Sequence, residues 1–176
     1  MRAVMLRTER LTLRPLAAQD AAPLARIAGD RSIADTMISV PHPFYPEHAR
    51  MWVEDRAHRY FAVCLPDELV GLAALRDIDP EHLQAELSFF VARAHWGRGI
   101  AREAGEALVR NAFEELRLNR LVAFRMMRNE ASGHVLERLG FRPEGLLRQR
   151  VRKWGVFEDV VAYALLREDH LGARGG

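Results

Sequence analysis

The stretch "AELSFFVARAHWGRGIAREA", Ala85–Ala104, decides the fold. Its first half is apolar and short, as a strand requires, and its second half is a good helix former. Between them stand Gly97 and Gly99, where a helix start ordinarily carries Ser, Thr, Asp or Asn as its cap. A helix N-terminus exposes unpaired N–H groups and a partial positive charge, and a bound anion satisfies both. Glycine would let the backbone itself approach such an anion. The alternative is a tight turn in which Gly97 or Gly99 is only a permissive cap.

Outward from this stretch the chain alternates strand and helix patterns. Upstream, "RLTLRPL" reads as a half-buried strand ending at Pro15. Asp20 stands before "AAPLARIAG" as the cap of a short helix. "PEHARMWVEDRAHRY" predicts a second helix with Met51, Trp52 and Ala57 among its core contacts. "YFAVCL" and "LVGLAALRDI", joined by "PDE", predict a hairpin, and "QAELSFFVA" adds a third consecutive strand, an antiparallel meander. Downstream, the helix runs to about Leu116, "RLVAFRM" is a strand, "NEASGHVLERLGF" is a helix stopped by Gly140, and "FEDVVAYALL" is a closing strand. The fold class is α+β, a mixed sheet with helices on its faces, in a single domain over 1–176 with a frayed tail at about 171–176.

Bulk composition narrows the function. The 176 residues are 49% hydrophobic and 28% charged, which suits one folded domain with its own core. Net charge is +2, and arginine is interleaved with acidic residues along most of the chain, which argues against nucleic acid as a partner. One cysteine, Cys64 in "YFAVCL", allows no internal disulfide and reads as a buried structural thiol. No signal peptide or membrane-length apolar window is evident, so a soluble cytoplasmic protein without a membrane partner is expected.

Two phosphate-binding schemes fail. A P-loop needs lysine directly after its last glycine, and the sole lysine is Lys153. A dinucleotide fingerprint needs a third glycine where Arg102 stands. What survives is a loop of backbone donors to which Arg98 and Arg102 can add charge.

That loop resembles the one in the GNAT N-acetyltransferase superfamily, and most closely its Rim-type branch, which acetylates ribosomal-protein N-terminal amines. The resemblance rests on the opening stretch, on "RNEASGHVLERLGF" (128–141) and on "PEGLLRQRVRKWGVFEDVVAYAL" (143–165), and with the order of elements it covers nearly the whole chain. The superfamily loop Q/R-x-x-G-x-G/A is matched from its fourth position by Gly99, Ile100 and Ala101. Trp96 at the first position is similar to the Rim-type W-G-x-G-x-A.

The resemblance implies a GNAT fold and acetyl-CoA as co-substrate, with no metal. It implies that backbone N–H groups from Arg98 to Arg102 (Arg98, Gly99, Ile100, Ala101, Arg102) hold the pyrophosphate. It also implies that Phe90 and Val91 offer backbone groups to the pantetheine and thioester, and that Asn129 contacts the CoA arm. Glu86, four residues before Phe90 and on the same strand face, is the candidate general base, with a ligand-orienting carboxylate as the alternative. The acid tyrosine of many members is missing from "NEASGHVLERLGF"; Ser132 takes its place beside the leaving sulfur, and Asn129 has the better claim to the helix cap.

Val151 stands where some Rim-type enzymes carry a glutamate, which leaves deprotonation of the acceptor to Glu86 or to solvent. Arg148, Arg150 and Arg152 fall on one face if extended, a solvated face or a surface for an acidic or ribosomal acceptor. Asp159 resembles a structural aspartate of the family, and His42, Phe44 and Tyr45 fall where acceptor sites are walled. The expected function is acetyl transfer to a primary amine by direct attack in a ternary complex, the acceptor being a protein N-terminus or a small molecule such as an antibiotic. The competing expectation is a non-catalytic acyl-CoA-binding module. Dimers are common in the family, so a homodimer is expected.

Overall fold

The computed structural model describes residues 4–172. Eight strands form one sheet: β1 (Leu6–Arg7), β2 (Thr12–Pro15), β3 (Arg59–Leu65), β4 (Glu68–Asp79), β5 (Gln84–Val91), β6 (Arg120–Met126), β7 (Arg142–Lys153) and β8 (Val156–Leu166). Their order across the sheet is β1-β2-β3-β4-β5-β6-β8-β7, antiparallel throughout except where β5 meets β6. This is the mixed, mostly antiparallel sheet flanked by helices that the resemblance implies.

Helices cover both faces. α1 (Ala21–Ala28), α2 (Arg31–Thr36) and α3 (Pro46–Glu54) bury Leu24, Ile33 and Ala49, with Phe44 from the loop before α3, against Leu72, Ala74 and Phe90. On the other face α4 (Ile100–Arg110) and α5 (Glu130–Arg138) bury Leu108, Val109 and Leu136 against Leu75, Leu87 and Leu121. Covered on both sides, β4 is buried without interruption from Val70 to Leu75, which is why its sequence reads as an apolar run instead of an alternation. α6 (Arg167–Gly172) follows β8. None of these helices is long and apolar enough to cross a membrane.

The β3–β4 hairpin, β5, β6, α4 and the Gly140 stop, with φ +94°, lie where the sequence predicts them. Several local readings are corrected. β1 and α2 carry patterns too short to read. The α3 helix ends at Glu54, because the Asp55 carboxylate accepts hydrogen bonds from the Ala57 and His58 N–H groups and turns the chain. Ala57, beyond the helix, and Met51, on its outer face, are exposed, and only Trp52 of the expected trio packs inward. The tail expected from 171 is helical through Gly172; residues 173–176 lie outside the described ones.

Asp20 does not cap α1. A single turn at Ala18–Asp20 precedes the helix, and the Asp20 carboxylate instead accepts two hydrogen bonds from Arg14, at 2.7 and 2.8 Å, and one from the Ala17 N–H. The residue is 3% exposed. Burial pushes its carboxyl up, but the Arg14 and Ala17 bonds together outweigh burial and hold it below the ordinary carboxylate range. A carboxyl depressed in the folded state adds stability that is present above its unfolded pKa and lost as pH falls through its folded one. Asp20→Asn is therefore expected to cost roughly 3 kcal/mol at pH 7. In urea titrations the gap to the wild type should shrink as pH falls below the carboxylate range.

Candidate active site

β5 and β6 run parallel for three residue pairs, Gln84↔Arg120, Ala85↔Leu121 and Glu86↔Val122, and then separate. From Leu87 onward β5 is paired only with β4, so the centre of the sheet holds an open edge. A cavity of about 1210 Å³ occupies the divergence, walled by β5, β6, the α4 start, α5 and residues 36–39 at the end of α2.

At the α4 end of this cavity the chain is built to leave backbone donors bare. Gly97 and Gly99 have φ +73° and +75°, and Gly99 is the N-cap with no side-chain cap bond. The left-handed conformation costs an L side chain roughly 1–2 kcal/mol and glycine nothing. Among the described residues the N–H groups of Ile100, Ala101 and Arg102 meet no acceptor; the first in the turn that does is Glu103, bonded to the Gly99 carbonyl. A Cβ on Gly97 would meet nothing within 4 Å, so space lies open over the loop. Uncapped donors, positive dipole and open space fit a diphosphate in charge and shape. Gly97, Gly99, Ile100, Ala101 and Arg102 line the cavity; Arg98 is not on its wall.

Two braces hold the loop. The Trp96 indole N–H donates to the Val91 carbonyl at 2.7 Å, folding the loop back on the end of β5. From the β1–β2 turn, Arg10 donates to the Arg98 carbonyl at 2.9 Å and pairs with Glu103 at 2.6 Å. Glu103 also accepts from Thr8 and from the Arg10 N–H. Burial raises the Glu103 carboxyl, but these donors outweigh it and keep it below its usual range. No sequence signal announces the Arg10 brace, since its partners lie about ninety positions away.

Along the open edge, ladder parity assigns the backbone groups. The Ala92 N–H donates to the Val70 carbonyl, and the Phe90 carbonyl lies so close to β4 that a Cβ on Gly71 would sit 2.3 Å from it. Residues 86, 88, 90 and 92 thus turn their backbone groups toward β4; the Leu87 N–H closes the last pair with β6, and beyond it Phe89 and Val91 turn theirs toward the cleft. The backbone donor expected at Phe90 belongs to its neighbours. Phe90 itself lines the cavity, and its ring packs 6.0 Å from Trp52. Val91 keeps its N–H for the cleft, its carbonyl being taken by Trp96.

Glu86 shares the Phe90 face, as strand alternation requires, and borders the cavity with its side chain 21% exposed. Burial raises its carboxyl; the Arg76 guanidinium, 3.6 Å away, offsets part of the rise, and the Asp77 charge adds to it. Arg76, which no motif marks, also donates to the Ser39 hydroxyl at 3.1 Å. Across the cleft the Asn129 side chain accepts from the Ser132 N–H and caps α5, and its amide donates to the Thr36 carbonyl. The Ser132 hydroxyl borders the cavity with no hydrogen bond among the described residues. His134 and Arg138, one helical turn apart on α5, face the same cavity.

Other expectations are redistributed. His42, Phe44 and Tyr45 are not on the cavity wall: Phe44 is drawn into the α1–α3 core, His42 rests on Trp154, and Tyr45 is exposed. Thr36–Ser39 form that wall instead. Arg148, Arg150 and Arg152 do not alternate on one face, because Gln149, at φ +49°, sits in a bulge between Leu147 and Val151. The bulge is held by the Gln149 N–H on the Asp159 carboxylate at 2.7 Å, and the Met127 N–H donates to the Asp159 carbonyl. Arg150 and Val151 line the cavity. Among the described residues no group of three His, Cys, Asp or Glu could hold a metal ion.

A split sheet beside a bare helix start fits an acyl-group transferase. A family model described as an acetyltransferase (GNAT) domain matches residues 10–142. The N-acetyltransferase p20 of Bacillus licheniformis is 33% identical over 175 residues, covering 95% of this chain and 98% of that one. The ribosomal-protein-serine acetyltransferase of Escherichia coli is 31% identical over 106 residues, 60% of this chain and 59% of that one. The crystal structure of spermidine N-acetyltransferase from Vibrio cholerae in complex with CoA and spermine has TM-score 0.83 at 26% identity, covering 93% of this chain and 99% of that one. The chain belongs to the GNAT acetyltransferase family, and it is an N-acetyltransferase.

Gly99→Val places a branched side chain at φ +75° beside Arg10. It is expected to raise the acetyl-CoA KM about tenfold, a cost of ~1.4 kcal/mol, while changing the acceptor KM less than threefold. Initial rates with each substrate varied in turn check the split.

Proposed function

We propose that this chain transfers the acetyl group of acetyl-CoA to a primary amine by direct attack in a ternary complex. The observation that carries the reading is that the bare α4 start and the Glu86 carboxylate open into one cavity at the edge where β5 leaves β6. In this reading the N–H groups of Gly99 to Arg102 hold the pyrophosphate, and the open β5 edge takes the pantetheine arm as an added strand. The Phe89 or Val91 N–H, on either side of Phe90, polarises the acetyl carbonyl.

Glu86 takes the proton of the acceptor ammonium, directly or through water, freeing the lone pair that attacks the carbonyl carbon. An α-amine has a pKa of about 7.7–8.0, so a weak base suffices. Collapse of the tetrahedral adduct breaks the C–S bond; the CoA thiolate, steadied by a hydrogen bond from the free Ser132 hydroxyl, takes up the second proton of the attacking nitrogen as the neutral amide forms. Asn129 contacts the CoA arm from the α5 cap.

For the acceptor we propose a protein N-terminal α-amine, as in the Rim-type branch, with a ribosomal protein as the first candidate. The W-G-x-G-x-A loop and the similarity to the ribosomal-protein-serine acetyltransferase support this choice. A polyamine acceptor is the second reading. Asp77 and Asp79 border a smaller recess that continues from Glu86 along the sheet, negative charge suited to a second ammonium. Thiol release with acetyl-CoA, tested against an N-terminal peptide panel and spermidine, separates the readings; silence across both classes would favour an acyl-CoA-binding module.

Because burial raises the Glu86 carboxyl in the folded protein, the acidic limb of kcat/KM should lie above the ordinary carboxylate range. Rate should fall as pH drops through that limb and the base becomes protonated. Glu86→Gln is expected to lower kcat about 100-fold and to erase the limb. An unchanged pH profile in the variant would assign deprotonation to solvent.

A further inference from the structure

The cavity wall at residues 36–39 runs from the last residue of α2 into a segment without regular structure, and the carbonyls of this stretch must find donors elsewhere. They find them on side chains from across the molecule. Arg128 donates to the Asp35 carbonyl at 2.8 Å, Asn129 to that of Thr36 at 3.2 Å, and Lys153 to those of Met37 and Val40 at 2.9 and 2.8 Å. Lys153 is the sole lysine of the chain, is 9% exposed, and has no part in the chemistry described above.

The hairpin joining β7 to β8 places this lysine. Trp154 and Gly155 both have positive φ, +52° and +83°, the signature of a two-residue turn whose twist matches its strands. That turn presses Trp154 onto the α2 end: its indole donates to the Asp35 carboxylate at 2.7 Å, the Arg31 guanidinium lies 4.9 Å over its ring, and His42 meets it edge-on at 5.6 Å. Burial lowers the Lys153 ammonium from its usual value, with Asp35 and Glu158 opposing the shift and Arg128 adding to it. The same wall reaches the reaction centre through Arg76, which holds both the Ser39 hydroxyl and Glu86.

We propose that the β7–β8 hairpin tip is a strap on the acceptor wall, with Lys153 as a positioning residue that sets the place of residues 36–40 relative to Glu86 and thereby the fit of the acceptor amine. The proposal rests on the reading that this cleft takes the amine. Lys153 touches neither substrate; it acts through the Met37 and Val40 carbonyls. Donor binding, at the far end of the cavity, is left alone.

Lys153→Met keeps an unbranched side chain but leaves two carbonyls without their donor. Steady-state kinetics with a peptide bearing a free N-terminal serine, and with spermidine, are expected to show an acceptor KM raised about tenfold. The acetyl-CoA KM and the CoA dissociation constant should stay within twofold. Amide hydrogen exchange over residues 36–40 should quicken in the variant while that over 100–108 does not. Trp154→Phe, which keeps the ring and loses only the indole donor, should move the same two readouts in the same direction by less, and it carries the test if Lys153→Met does not fold. Equal rises in both KM values, or unchanged exchange at 36–40, would overturn the strap. If the wild type acetylates neither amine, the functional reading fails, and the exchange comparison still decides whether Lys153 holds the wall.

Discussion

Everything in the site depends on the short parallel contact between β5 and β6. Antiparallel neighbours could have stayed zipped along their length, but these strands share only Gln84–Glu86 with Arg120–Val122 before parting. A row of backbone donors and acceptors is thereby exposed in the middle of a sheet, where unpaired polar groups are costly unless something pairs with them. The core bears this because both flanks are closed: β4 is buried on its two faces, and α4 and α5 pack together where Gly105 lets Leu139 approach to 2.6 Å of its missing Cβ. The opening is thus a feature of the whole architecture and not of a loop.

Around that opening the protein assigns different physics to its two ends. At the α4 end it presents N–H groups, a helix dipole and glycines, a set that selects an anion by geometry with little help from side chains. At the other end it presents side chains: Glu86 raised by burial, Arg76 beside it, and Asp77 and Asp79 beyond. A donor whose recognition is built into backbone can stay constant while acceptor preference is tuned by substitution. That division is consistent with relatives named for ribosomal protein and for spermidine sharing one fold.

Much of this was legible in the sequence, for identifiable reasons. Gly97 and Gly99 announce the uncapped helix start because a positive φ leaves few alternatives to glycine, and the meander from Tyr60 to Val91 is visible because strands and turn keep their local patterns. Glu86 and Phe90 share a face by alternation alone. What escaped are contacts made across the chain. Asp20 looks like a helix cap but is claimed by Arg14; Phe44 looks like an acceptor wall but is claimed by the core. Arg148 to Arg152 look periodic, yet the bulge at Gln149 breaks the period. Arg10, Arg76 and Lys153 carry no local signature, since each works on backbone or side chains far away in sequence. That the Phe90 backbone faces β4 while the Val91 backbone faces the cleft follows from ladder parity, which depends on the partner strand and which a single strand's sequence does not reveal.

The central claim is that backbone, at the α4 start and along the open β5 edge, holds the donor. Amide chemical-shift mapping by NMR during a CoA titration addresses it most directly. The account predicts the largest perturbations at Gly99, Ile100, Ala101 and Arg102, and at Phe89 and Val91, with the amides of Ser88 and Phe90, bonded into β4, moving less. Perturbations of equal size on the even and odd residues of β5, or none at the α4 start, would contradict it.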